Sequence, residues 1–67
     1  LKVKINGNWT EIPDSIRLVS ELTRHLEIDG KTIIIEKNTE ILERASHQEE
    51  PVEQEDVFEI VTFVGGG

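Results

Sequence analysis

Val57-Phe58-Glu59-Ile60-Val61-Thr62-Phe63-Val64, followed directly by Gly65-Gly66-Gly67, is the stretch whose reading decides the fold. Seven of its first eight residues are β-branched or aromatic, the composition of a strand. Side chains alternate along a strand, so if Phe58, Ile60 and Thr62 turn toward a core, Val61 and Phe63 point away from it. Two arrangements stay open for that outer side. Val61 and Phe63 form an apolar patch beside the chain end, or a neighbouring segment such as Ile41-Leu42 covers them.

Working outward, the other segments read as partners for this strand. Leu1, Val3 and Ile5 alternate with Lys2 and Lys4, a half-buried strand. Asn6-Gly7 supplies the two positive-φ residues of a type I′ turn, and the return strand runs from Asn8 to Ile12, where Pro13 ends it. Residues 14–28 predict the one long helix. Ile16, Val19, Leu22 and Leu26 make its apolar stripe, Asp14 or Ser15 is its candidate cap, and Asp29-Gly30 is its stop. Thr32-Ile33-Ile34-Ile35 runs without alternation, which predicts a strand buried on both faces. A polar turn over residues 36–40 leads to a short Ile41-Leu42 element. Residues 43–56 predict a solvated loop pinned near Val52, and five of the fourteen acids fall between Glu49 and Asp56.

This order, hairpin, helix, strand, short elements, strand, is satisfied by one core if a single helix crosses a mixed sheet. Laying the last strand beside the first, in parallel, keeps both from being sheet edges. The prediction is an α+β, ubiquitin-like β-grasp with four to five strands and one main helix. Residues 1–64 form the domain and residues 65–67 a flexible glycine tail.

Size and composition narrow the function. Sixty-seven residues make one small domain, with no room for a second lobe around a substrate. A module that presents a surface or an end is the better expectation. No run of about 18 apolar residues is present, so no membrane partner is expected, and the chain is expected to be cytoplasmic. The net charge of -7 argues against nucleic acid. The absence of cysteine removes thiolate metal sites and a thiol nucleophile. His25 and His47, on different elements, predict surface or helix-end positions and no metal site. The acids at 49–56 lack the ligand alternation of a calcium loop. They read as a solvated face, with docking to a basic partner as the alternative.

Three segments together carry a family resemblance: Asn6-Gly7, the Ile-Ile-Glu-Lys-Asn at 34–38, and Asp56-Val57-Phe58-Glu59-Ile60-Val61 leading into Phe63-Val64-Gly65-Gly66-Gly67. The chain resembles the ThiS-type sulfur carriers of thiamine biosynthesis over essentially its whole length. It departs at Glu55-Asp56, where relatives commonly have Gly-Asp, in its acidic residues 48–54, and at Trp9.

The resemblance implies a carrier, not an enzyme. A ThiF-like, ATP-dependent adenylyltransferase would adenylate the Gly67 carboxylate. Sulfur from a cysteine desulfurase relay would convert it to a thiocarboxylate, and a ThiG-like thiazole synthase would receive the sulfur. No bound cofactor is implied; the ATP belongs to the activating partner. Gly65, Gly66 and Gly67 would enter the partners' active sites, and glycine suits that task because it lacks a side chain and its backbone is permissive. Val61, Phe63 and Val64 are the candidate docking residues. A frayed end is the plainer reading of three terminal glycines, but these follow a hydrophobic strand directly. A MoaD-like molybdopterin sulfur carrier, a ubiquitin-like protein modifier and an inert interaction module are the alternatives.

Overall fold

The computed structural model describes residues 1–63. Its five strands are β1 (Lys2–Ile5), β2 (Asn8–Glu11), β3 (Thr32–Lys37), β4 (Glu40–Leu42) and β5 (Val57–Phe63). They form one sheet in the order β2-β1-β5-β3-β4. β1 and β5 pair in parallel, and the other neighbours are antiparallel. The last strand therefore lies at the centre, beside the first and parallel to it as expected. One α-helix, α1 (Val19–His25), contributes Val19 and Leu22 to a core completed by Val3, Ile12, Ile16, Ile35, Val52 and Phe58.

Local chemistry explains where the elements begin and end. Asn6 and Gly7 both take positive φ, the requirement of a type I′ hairpin. α1 is shorter than the predicted 14–28, and neither Asp14 nor Ser15 caps it. Ile16 still joins the buried stripe, but as part of the approach to the helix. The Glu21 carboxylate instead accepts from the Arg17 and Leu18 amides at 2.8 and 2.9 Å, folding the first turn back on the entering chain. Those two amides, Arg17 first, hold the Glu21 carboxyl below the ordinary carboxylate range.

The helix also stops earlier than Asp29-Gly30. Glu27 takes φ 61°, its amide donates to the Arg24 carbonyl, and the Ile28 amide donates to the Thr23 carbonyl, both at 3.0 Å. This is a Schellman end with Glu27 in the position usually given to glycine. Gly30 serves the following turn, at φ 88°.

Two further expectations are corrected. β3 is not buried on both faces: Ile35 is fully buried, whereas Ile34 is 44% exposed. Only one side of the sheet is covered by α1, so the β-branched run alternates after all. Residues 43–56 are pinned at Val52 and largely exposed, as expected, but they are more ordered than a loop. Arg44–Gln48 form a 3-10 helix, the Val52 amide donates to the Arg17 carbonyl at 2.8 Å, and the Glu55 amide donates to the Lys2 carbonyl at 2.7 Å. Two of the acids turn inward. Lys37 Nζ, on a largely buried side chain, donates to Glu50 Oε2 at 2.9 Å and to the Pro51 carbonyl at 2.7 Å, with Asp56 Oδ2 at 3.6 Å. Burial pulls this ammonium's pKa down, but the Glu50 and Asp56 carboxylates outweigh it and leave it raised.

Candidate functional site

β5 and its neighbours position the candidate docking residues. Cross-strand partners share a face of the sheet, so the register assigns faces directly. Phe58 is fully buried under α1, and Ile60 on the same side is partly buried. Thr62 lies on that same face, paired with the partly buried Ile33, but at the end of the sheet it is exposed.

Val61 and Phe63 lie on the opposite, open face, at 53% and 49% exposure. Val61 pairs with Ile34, and Phe63 with Thr32. Ile41 does not cover them. It stands on β4 opposite Glu36, on the same open face, and is itself 71% exposed. The result is an apolar strip of Ile34, Ile41, Val61 and Phe63 at the end of the sheet where β5 leads toward the tail. Val64, Gly65, Gly66 and Gly67, the rest of the candidate site, lie outside the described residues, as does the division between a domain ending at 64 and a tail.

Ile34 and Ile41 escape the sequence reading because neither segment shows a period. Three consecutive isoleucines hide which one faces out until a partner strand sets the register. Asn6 and Asn38 are missed for a different reason: their side chains act as backbone. Asn6 Nδ2 donates to the Ile60 carbonyl at 3.1 Å, and its Oδ1 accepts from the Ile60 amide at 2.7 Å. β1 ends at Ile5, and this amide continues its ladder along β5. On the other side of β5, Asn38 Oδ1 accepts from the Val57 amide at 2.9 Å, and Asn38 Nδ2 donates to Asp56 Oδ1 at 3.0 Å. Both asparagines clamp the strand that bears the docking residues.

The histidines divide. His25 is exposed at the helix end; His47 also sits in the last turn of a helix, the 3-10 helix, but it is buried, and its Nε2 has no hydrogen-bond partner among the described residues. Burial, with the Arg44 guanidinium adding to it, depresses its pKa, against a hydrogen bond to the Leu42 backbone that raises it. Among the described residues, no group of three or more His, Asp or Glu side chains is gathered for a metal ion. No helix among them is long and apolar enough to cross a membrane. What the described residues offer is an apolar surface on the open face of the sheet.

Comparison with known proteins agrees with this arrangement. The chain is 31% identical over 65 residues to the sulfur carrier protein ThiS of Bacillus subtilis, covering 97% of this chain and 98% of that protein. It is 34% identical, over its full length, to part of a thiazole synthase of Paramagnetospirillum magneticum, and it spans only 20% of that protein. The crystal structure of a thiamine biosynthesis protein, ThiS, from Geobacter metallireducens superposes with a TM-score of 0.82 at 29% identity, with both chains fully covered. The solution structure of a thiamine biosynthesis protein from the same organism gives 0.81 at 28% identity, covering all of this chain and 88% of that one. The model of the ThiS family matches residues 3–67, which include the glycines. The chain belongs to the ThiS family.

Proposed function

We propose that this protein is a sulfur carrier of thiamine biosynthesis, a co-substrate and not a catalyst, and that Gly67 is the residue that carries the sulfur. The end-to-end family match through Gly65-Gly66-Gly67 is the observation that supports this reading most directly. In the first step an oxygen of the Gly67 carboxylate attacks the α-phosphorus of ATP, pyrophosphate leaves, and an acyl adenylate forms. The terminal sulfur of a relay persulfide then attacks the carbonyl carbon as the carbon–oxygen bond to AMP breaks, and an external thiol reduces the resulting acyl disulfide, leaving the thiocarboxylate on Gly67. The ATP and the chemistry belong to a ThiF-like adenylyltransferase, and the sulfur to a cysteine desulfurase relay. This chain binds no cofactor of its own in the proposed cycle.

A thiazole synthase of the ThiG type is the proposed acceptor. The similarity to one fifth of a thiazole synthase supports this, because there a domain like this one is built into such a protein. From Val64 to Gly67 the chain reaches at most about 13–14 Å when extended, enough to enter a partner's channel while the domain stays outside. Val61, Phe63 and Val64 would hold the domain at that entrance, with Ile34 and Ile41 completing the apolar surface. The cytoplasm is the compartment in which this cycle is proposed to run.

Intact-mass spectrometry after incubation with the adenylyltransferase, ATP and a sulfur donor tests the reading. Exchange of one oxygen for one sulfur at the chain end is expected. Heavier lysine conjugates would identify a protein modifier, and an unchanged mass would identify an inert module. A variant with one residue added after Gly67 should accept no sulfur, because the carboxylate to be activated has become an amide.

A further inference from the structure

Glu36 and Glu59 stand directly opposite each other on β3 and β5. Glu59 lies two residues before Val61, and Glu36 two residues after Ile34, so both carboxylates rise from the open face of the sheet. Ile41 stands beside Glu36 in the same row. The next row toward the tail is Ile34 with Val61, and the one after it Thr32 with Phe63. Like charges placed directly opposite on neighbouring strands destabilise a sheet. Neither glutamate forms an ion pair among the described residues that would relieve this.

The remaining charges of this face gather at its other end. Register puts Lys2, Lys4 and Glu11 on β1 and β2, and Glu55 lines a hollow with Lys2. Lys4 is the nearest cation on the strands. It stands beside Val57, two residues short of Glu59, and holds its ammonium 5.7 Å from the Trp9 ring centroid. From the glutamate row to Phe63 the strands place Thr32, Ile34, Ile41, Val61 and Phe63 on the open face, and no cation. The carboxylate pair is thus set against the apolar strip. At about 3.3 Å per residue Glu59 lies about 13 Å from Phe63, well inside one interface of ordinary size, roughly 30 Å across.

We infer that Glu36 and Glu59 together receive an arginine of the thiazole synthase, its guanidinium lying across both carboxylates with Ile41 and Val61 beside it. The inference rests on the sulfur-carrier reading above and gives the chemistry by which the sulfur acceptor recognises this face. The synthase is the occupant because a domain like this one is built into a thiazole synthase. Guanidinium suits the pair better than ammonium. Its planar fork carries five donors, enough for two carboxylates, and its weaker hydration makes it easier to seat among isoleucine and valine. Docking then removes a repulsion that the free protein bears. The pair therefore lowers fold stability and raises affinity, and this opposition of sign separates docking from a structural role.

Affinity for purified thiazole synthase should be measured at low and high salt for wild type, Glu36→Gln, Glu59→Gln and the double variant. Glu11→Gln, the same charge change at the far edge of the same face, is the control. Each single neutralisation is expected to weaken binding by about tenfold at low salt, with a smaller deficit at high salt. Unfolding midpoints of these variants should stay level or rise, and Glu11→Gln should bind as wild type does. Full affinity in the double variant overturns the inference, as does an equal loss in Glu11→Gln, which would make the effect one of net charge. Weaker binding with a lowered midpoint would assign the pair to the fold and overturn it too. So would a loss confined to the adenylyltransferase, titrated in parallel. The intact-mass assay on the same wild-type sample separates the two readings. Sulfur uptake without synthase binding overturns this inference alone, whereas no sulfur uptake overturns the sulfur-carrier reading with it.

Discussion

Asn6 and Asn38 each occupy a left-handed corner, at φ 49° and 48°, and each turns its amide onto β5. Asparagine is the non-glycine residue that best tolerates this backbone, and here it also supplies a donor and an acceptor. Removing the Asn38 side chain leaves the Val57 amide and Asp56 Oδ1 without their partner. Asn38→Ala should therefore cost about 2–3 kcal/mol, from two lost hydrogen bonds and a less tolerant corner, measured by denaturant unfolding. Glu55 presents the opposite case. It holds φ 67° with no side-chain hydrogen bond among the described residues to justify a carboxylate there. Left-handed backbone costs a non-glycine residue roughly 1–2 kcal/mol, and glycine gives back about 0.5–1 kcal/mol in unfolded-chain entropy. Glu55→Gly should accordingly stabilise the protein by about 0.5–1 kcal/mol. A lower unfolding midpoint for that variant would show that Glu55 makes a contact worth more than its strain.

At the scale of elements, periodicity and turn chemistry made some features readable and local capping concealed others. The Asn6-Gly7 hairpin and the strand character of residues 57–63 follow from residue type, because no tertiary contact is needed to specify them. The helix ends did not follow, since α1 is closed by Glu21 at its start and by Glu27 at its end, and neither residue type announces that role. The 3-10 helix around His47 was invisible for a related reason: it is fixed by packing against α1, with His47 as its buried residue, rather than by propensity. That burial has a consequence in acid. The fold favours neutral His47, so its folded pKa lies below the ordinary 6.5. The unfolded state then takes up a proton first, and the stabilisation present above pH 6.5 is lost as pH falls through the folded pKa. The Arg44 guanidinium and Lys31 line the same hollow and oppose a second cation, whereas Asp29 favours one. The melting temperature should drop between about pH 7.5 and 5.5, above the range where carboxylates titrate, and His47→Gln should flatten that drop. An equal drop in both proteins would place the titrating group elsewhere.

For the whole molecule, the parallel pairing of the last strand with the first was readable because it keeps both from being edges. The facing of residues along β5 followed once one residue was placed in the core. What the open face would hold did not follow, because exposure depends on whether anything lies above the sheet. That geometry separates two phenylalanines on one strand. Phe58 is fully buried between the sheet and α1, and its removal leaves a cavity that a small core can close only in part. Phe58→Ala should cost about 3–5 kcal/mol, a large share of what a domain of this size possesses. Phe63 is about half exposed on the open face, so Phe63→Ala should cost well under 1.5 kcal/mol in stability. Its loss should appear instead in partner affinity, weakened by roughly 1–3 kcal/mol as for a moderate interface anchor. Ile60→Ala falls between the two in stability, since Ile60 is only partly buried. Chemical denaturation and titration against the adenylyltransferase, run on the same three variants, measure both axes at once. If Phe63→Ala destabilises the domain as much as Phe58→Ala while binding is unchanged, then Phe63 works as a core residue and the open face is not where the partner sits.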